Sequence, residues 1–299
     1  TGSCTAAPLF GGIASATSAG TSECRVDLGW NSASPACGGP ASYSIYRSDD
    51  AGFVPGDGNR IALGWLDTLF SDTTAVGGTT HYYMVRSVDG ANGAEDDNLV
   101  RLAVVPSGPP SDATFGSGAE PGDPRFDPAS AWGVSTVRMH AGTESFWSTD
   151  ANNLCVSLVT PPLELTPGQS SALSFWSAWD IEQGWDGGVV EISTDGANWT
   201  RLTPQQGYPS TISQGGTLCG IAQGSGAFTG MGHFTWSQYD VDLSAYAGET
   251  VQARWLYRTD QAQTGEGWFV DDVALTHALV PGTCVVAPDA IFIDGFEGR

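Results

Sequence analysis

The residues with most chemistry to offer in this chain are acids. GEGWFVDDVAL, residues 265–275, has the composition of a β-strand with two aspartates set into it. Side chains of a strand alternate between faces, so this spacing predicts Phe269, Asp271, Val273 and Leu275 on one face and Trp268, Val270, Asp272 and Ala274 on the other. Each face then carries one carboxylate among residues that favour burial, which is unfavourable by several kcal/mol unless something pairs with it. A second acidic group lies in AWDIEQGWDGG, residues 178–188. Asp180 and Glu182 are two apart and share a strand face, and Asp186 follows the turn residues Gln183, Gly184 and Trp185. Asp180, Glu182, Asp186, Asp271 and Asp272 are therefore the candidate site, and the question is what offsets their charge.

Catalysis is the less favoured use of these groups. Glu182 with Asp271 is the pair that could hydrolyse a glycoside, but a general acid must be protonated at rest and a metal ligand ionised, so one carboxyl cannot serve both ends. The chain has no HExxH and no GxSxG, and no glycine-rich loop that follows a strand and opens a helix. His81, His140, His233 and His277 are scattered, and structural roles suit each better than catalytic ones; His81 is expected in a core and His233 at a strand start. No catalytic residue is assigned. The acidic stretches at 49–59 and 89–98 lack the EF-hand pattern and read as solvated loops, while STDGANW (193–199) reads as a hairpin turn built on Asp195 and Gly196.

Bulk composition narrows the classes. With 33 acidic against 11 basic side chains, all of them Arg, the 299-residue chain carries a formal charge of -22, the wrong sign for nucleic acid or an anionic membrane surface. Its apolar runs are too short to span a bilayer. The 40 Gly and 17 Pro, with many Thr, Ser and Val and no long helical period, predict an all-β protein. Cys4, Cys24, Cys37, Cys155, Cys219 and Cys284 are even in number and lack CxxC spacing, which favours disulfides and an oxidising compartment over a zinc site. A start at Thr1 without Met is expected of a mature or excised product of a longer precursor.

The pattern changes at PSGPPSD, residues 106–112, read as a linker. The predicted division is a first domain at 1–106, a linker at 107–111, a second domain at 112–280 and a linker and tail at 281–299. In the first domain CRVDLGW turns Val26, Leu28 and Trp30 inward, SYSIYRS puts Tyr43 and Ile45 on one face, and TTHYYMVRSVD aligns His81, Tyr83, Val85 and Ser87. Trp30, the Tyr-x-Ile of the next strand and GGTTHYYMVRSVD resemble a fibronectin type III sandwich, with His81 at the usual position of a tyrosine-corner residue. Cys24 and Cys37 bracket one strand and its following loop and are expected to pair. After an irregular stretch at 112–153, the strand signals LCVSLVTPPLEL, SALSFWSAWDIE, GGVVEISTDGANW, FTWSQYDVDLSAY, TVQARWLYRTD and GWFVDDVAL predict a two-sheet jelly roll. Their order resembles the MAM-like domain of immune inhibitor A-type metallopeptidases and of other secreted bacterial proteases. A Gly-x-Cys-x-x-Ala-Pro pattern recurs at 2–8 and 282–288, and the tail IFIDGFEGR resembles endings of secreted Gram-negative proteins.

In the jelly rolls that this chain resembles, the two acidic strand ends lie together and hold calcium. Calcium takes six to eight oxygen ligands and its charge would offset the clustered acids. Glu182, Asp186 and Asp271 or Asp272 are the first choices; the alternative leaves Asp180 and Asp272 solvated and bonds the others to loops. The resemblance implies a secreted, non-catalytic accessory region, a spacer followed by a calcium-stabilised jelly roll. It would serve an extracellular bacterial protein such as a protease, binding an extracellular polymer, a cell surface or the parent catalytic domain. Two other readings stand beside it. One is a carbohydrate-binding module using Trp65, Trp147 or Trp185, the tryptophans in turn-like contexts; the other is a self-assembling filament or adhesin subunit.

Overall fold

The computed structural model describes residues 4–124, 126–128 and 131–286; the IFIDGFEGR tail lies outside them. The chain divides into a first unit, Thr1–Pro110 with Pro281–Arg299, and a second, Ser111–Val280. The segment after residue 280 thus belongs with the beginning of the chain. Cys24 N–H donates to Val285 O at 2.9 Å and Val285 N–H to Ser22 O at 3.0 Å, and Cys24 is bonded to Cys284.

The first unit contains β1 (Ile13–Ser18), β2 (Val26–Trp30), β3 (Ala41–Ser48), β4 (Arg60–Trp65), β5 (Leu69–Asp72), β6 (His81–Asp89) and β7 (Leu102–Val104). They form a three-stranded sheet, β1-β2-β5, and a four-stranded sheet, β4-β3-β6-β7. Alternation in β2, β3 and β6 sends Val26, Leu28, Trp30, Tyr43, Ile45, Tyr83 and Val85 into one shared core, as their spacing predicts. His81 is buried there too, with Nδ1 2.5 Å from Asp49 Oδ1 and Nε2 3.0 Å from Val76 N.

All six cysteines are paired, but not as expected: the bridges are Cys4–Cys37, Cys24–Cys284 and Cys155–Cys219. Cys24 precedes β2 and Cys37 follows it, so an extended strand, about 17 Å long, separates them and carries them to opposite ends of the sheet. Asp89 Oδ2 accepts the Cys37 N–H at 2.7 Å and anchors that end.

The second unit is built from β8 (Gly108–Ser117), β9 (Asp127–Pro128), β10 (Trp132–Ser135), β11 (Ser145–Ser148), β12 (Cys155–Val159), β13 (Leu163–Glu164) and β14 (Ala172–Ile181). The rest are β15 (Gly187–Ser193), β16 (Thr200–Arg201), β17 (Ser210–Thr211), β18 (Gly226–Ala227), β19 (Gly230–Asp242), β20 (Thr250–Arg258) and β21 (Gly267–Gly282). One sheet runs β10-β11-β21-β14-β19 with β8 also on β21; the other runs β16-β15-β20-β12-β9 with β13 also on β20. Phe175, Phe228, Trp255, Tyr257 and Trp268 fill the core between them. Two expectations change here. The stretch read as a linker opens strand β8, since the fixed φ of Pro109 and Pro110 suits an extended strand and β8 pairs on β21 alone. The stretch read as irregular contains β9, β10 and β11, whose two to four residues are too short for alternation to show.

The DD pair is a β-bulge. Trp176 stands opposite Asp271 and Ser174 opposite Ala274, with a register shift between them, and Asp272 has φ 43°. The extra residue changes the phase of the strand, so that Trp268 and Val270 before it and Val273 and Leu275 after it all enter the core. The expected division of one aspartate to each face is therefore wrong. Both acids are left on the side of the sheet away from the core.

Candidate functional site

Three carboxylates of the second unit converge. Ligand oxygens of Glu182, Asp186 and Asp260 all lie within 4.8 Å of one another, the only such group among the described residues. Strand β14 delivers Glu182 just past its end, the following turn brings Asp186 to the start of β15, and Asp260 follows the end of β20. Gly187 pairs with Arg258, which sets those two strand ends side by side. The backbone N–H of Asp260 donates to Asp186 Oδ1 at 2.6 Å. Asp186 is buried, and Glu182 Oε2 is a buried acceptor without a hydrogen-bond partner.

Asp150 completes the electrostatics. Its Oδ1 accepts the Tyr257 hydroxyl and its Oδ2 the Gly265 N–H at 2.6 Å. Burial raises its pKa and nearby Asp180 adds to the shift. Burial, with Asp150, Asp260 and Glu182 close by, pushes Asp186 up to about 8, and burial with Asp260 and Asp150 raises Glu182. An acid that stays protonated at neutral pH for want of a counter-charge is a place where a cation can replace the proton. One protein cation is near: Arg258 is fully buried and donates to the carbonyls of Ile221 at 2.7 Å, Trp185 at 2.9 Å, Gln214 at 3.2 Å and Gly216 at 3.3 Å. A single guanidinium spent on four carbonyls leaves the acids under-compensated.

The other three predicted acids are elsewhere. Asp180 accepts from Gly232 N at 2.7 Å and Glu266 N at 3.1 Å. Asp180 pairs with Gly267 and Trp176 with Asp271, so Asp271 is four steps along the sheet, about 13 Å. One ion enclosed by all five acids is excluded by that distance. Asp271 instead binds the loop between β10 and β11: Oδ2 accepts His140 N–H at 2.7 Å and Ala141 N–H at 3.3 Å, and Oδ1 accepts Asp272 N–H at 2.7 Å. Asp272 Oδ2 lies 2.6 Å from His140 Nδ1, and the His140 ring stacks on Trp176 at 3.7 Å. Glu120 takes the N–H groups of Thr143 and Glu144 at 2.6 and 2.9 Å. Three acids thus fasten a strap, residues 136–144, across the outer face of the sheet.

The three tryptophans named from sequence are dispersed. Trp65 is in the first unit, 38% exposed, its Nε1 donating to Leu69 O at 2.8 Å. Trp185, 37% exposed, lines a cavity of about 410 Å³ beside Asp260 and the Cys155–Cys219 bridge. Trp147 lines a groove of about 490 Å³ under the strap. Sequence reading missed Asp150, Asp260, Arg258 and the role of His140. Asp260 had a signal, because it ends the strand RTD as Asp186 begins another, but nothing in the spacing said that these strands are neighbours.

The family model of the immune inhibitor A-like MAM domain matches residues 129–297. Bacillopeptidase F of Bacillus subtilis is 27% identical over 153 residues, 48% of this chain and 9% of that protein. Immune inhibitor A of Bacillus thuringiensis is 26% identical over 168 residues, 54% of this chain and 22% of that protein. The chain thus spans less than a quarter of either relative. Among solved structures, the K1 cleaved adhesin domain of Lys-gingipain from Porphyromonas gingivalis is 19% identical, covering 55% of this chain and 97% of that one with a TM-score of 0.33. TmCBM61 is 14% identical, covering 51% and 87% with a TM-score of 0.34. With its family model matched across more than half its length, the chain belongs to the immune inhibitor A-like MAM domain family.

Proposed function

We propose that this chain is a non-catalytic accessory region of a secreted bacterial hydrolase, its first unit a fibronectin type III-like spacer and its second a jelly roll closed at one end by calcium. The observation that carries the reading is the convergence of Glu182, Asp186 and Asp260, with Asp186 buried and Glu182 Oε2 unpartnered. An all-oxygen donor set suits a hard cation and not zinc, and the flexible geometry of loop carboxylates suits calcium better than magnesium, which demands a tight octahedron. When bound, calcium would supply the charge that lets these acids ionise together and would tie the ends of β14, β15 and β20. Asp150, bonded to Tyr257, adds to the negative charge that a bound cation would offset. The paired cysteines support an oxidising compartment, and the likeness to Bacillopeptidase F supports a hydrolase as parent.

Thermal unfolding with calcium and with chelator tests this. An ion that binds only the folded state adds ~2.7 kcal/mol when present at about 100 times its dissociation constant. Chelation is expected to lower the melting transition of the second unit and leave that of the first in place. Identical transitions in both conditions, with no residual metal, would refute the calcium reading.

A further inference from the structure

The groove under the strap lies apart from the acidic cluster. Register pairs share a face, so Trp147, Phe269 and Ala178 form one row across β11, β21 and β14 on the side of the sheet away from the core. The Trp147 and Phe269 rings stack at 6.2 Å with 23° between their planes. Trp147 Nε1 donates to Glu266 O at 2.8 Å, which fixes the indole. Arg138, from the strap, meets Glu266 through two bonds, Nε to Oε2 at 2.6 Å and Nη2 to Oε1 at 2.9 Å, and lies 4.0 Å from the centre of the Phe234 ring. Aromatic surface, a planar polar fork and the hydroxyl groups of Ser135, Thr136 and Thr149 therefore line one groove of about 490 Å³, the size of a small-molecule site.

We propose that this groove binds a neutral glycan. The half-buried Trp147 ring, backed by the buried Phe269, offers its apolar plane to the C–H face of a sugar, and the Arg138–Glu266 fork with the hydroxyls offers donors and acceptors to its hydroxyl groups. Charge decides against an anionic polymer. The only charged side chains lining the groove are Arg138 and Glu266, they neutralise each other, and the protein as a whole carries -22. The row of Trp147, Phe269 and Ala178 lies on β11, β21 and β14, which each have a hydrogen-bonded strand on both sides, while Val134 and Ser135 of the outer strand β10 form one side of the groove. The platform is also fixed before any ligand arrives, since the contacts of Trp147 and Arg138 hold both side chains, and ordering them on binding costs little.

This inference rests on the accessory reading by naming what is bound, and is independent of the cation, because none of Glu182, Asp186 and Asp260 lines the groove. Affinity electrophoresis of the full chain in native gels containing xylan, a β-glucan, galactan or amylose, with polygalacturonate as the anionic control, tests it. Retardation is expected in at least one neutral polymer, with and without chelator at a temperature where the stripped protein is folded. Trp147→Ala should weaken it at least tenfold. Val137, 79% exposed on the groove wall, contributes nothing to a core, so Val137→Glu should block binding with an unchanged melting curve. Trp65→Ala should retain it. No retardation in any neutral polymer, retardation by polygalacturonate alone, or undiminished retardation of Val137→Glu would overturn the proposal. A protein that fails here but still binds calcium would remove the glycan site and leave the accessory reading standing.

Discussion

Asp271 Oδ2 accepts the backbone N–H of His140 at 2.7 Å, joining residues 131 apart in the chain. That bond explains why two aspartates stand side by side in a strand otherwise made for burial. The bulge turns both outward, Asp271 satisfies the backbone of the strap and Asp272 its imidazole, so each acid is partnered without an ion.

The strap makes the second unit sensitive to pH in a stated direction. Burial holds Asp271 up to about 6 against an ordinary value of 3.8, and the amides of His140, Asp272 and Ala141 only partly offset it. The folded state therefore binds the extra proton, and the stability contributed is fully present below about 4 and lost as pH rises to about 6. Urea titrations of the chelated protein across this range should show the decline, and Asp271→Asn should remove Asp271's share of the slope. The variant should also be weaker by about 1–3 kcal/mol at low pH, because an amide cannot accept on both of its terminal atoms.

Replacing His140 by Ala removes its stack on Trp176 and its contact with Asp272. A loss of about 0.5–1.5 kcal/mol is expected from the ring contact. Hydrogen exchange should become faster in residues 136–144 and stay unchanged in β15 and β20. Uniform acceleration across the sheets would show that the strap is not a separate element.

Arg258 is expected to tolerate no apolar substitute of smaller size. Arg258→Ala strips four carbonyls of their donor and leaves the acid cluster without its one buried protein cation, so destabilisation of about 3–5 kcal/mol is expected. Arg258→Lys should recover part of it, since an ammonium keeps the charge but not the reach of the fork. A neutral effect of Arg258→Ala on denaturant unfolding would contradict the role given to this residue.

Peptide mapping without reduction should recover three crosslinks, Cys4–Cys37, Cys24–Cys284 and Cys155–Cys219, and none joining Cys24 to Cys37. Loss of Cys24–Cys284 through a double Ser replacement is expected to weaken the first unit by about 2–5 kcal/mol.

What the sequence made legible follows from the range of the interactions involved. Period-two alternation disclosed the cores of β2, β3 and β6, and paired carboxylates disclosed Glu182 and Asp186. The bulge at Asp272 was hidden because one extra residue changes the phase of alternation without changing composition. Cys284 was hidden as the partner of Cys24 because the two stand 260 positions apart in the chain, with an entire folded unit between them. Asp260 and Arg258 needed the pairing of β15 with β20, which local pattern does not encode.

Calcium binding measured calorimetrically on metal-stripped protein at neutral pH tests the central claim most directly. One site per chain is expected, weakened at least a hundredfold by Asp186→Asn, weakened likewise by Asp260→Asn, and retained in Asp271→Asn. No heat of binding in the wild-type chain, or a site lost in Asp271→Asn and kept in Asp186→Asn, would contradict it.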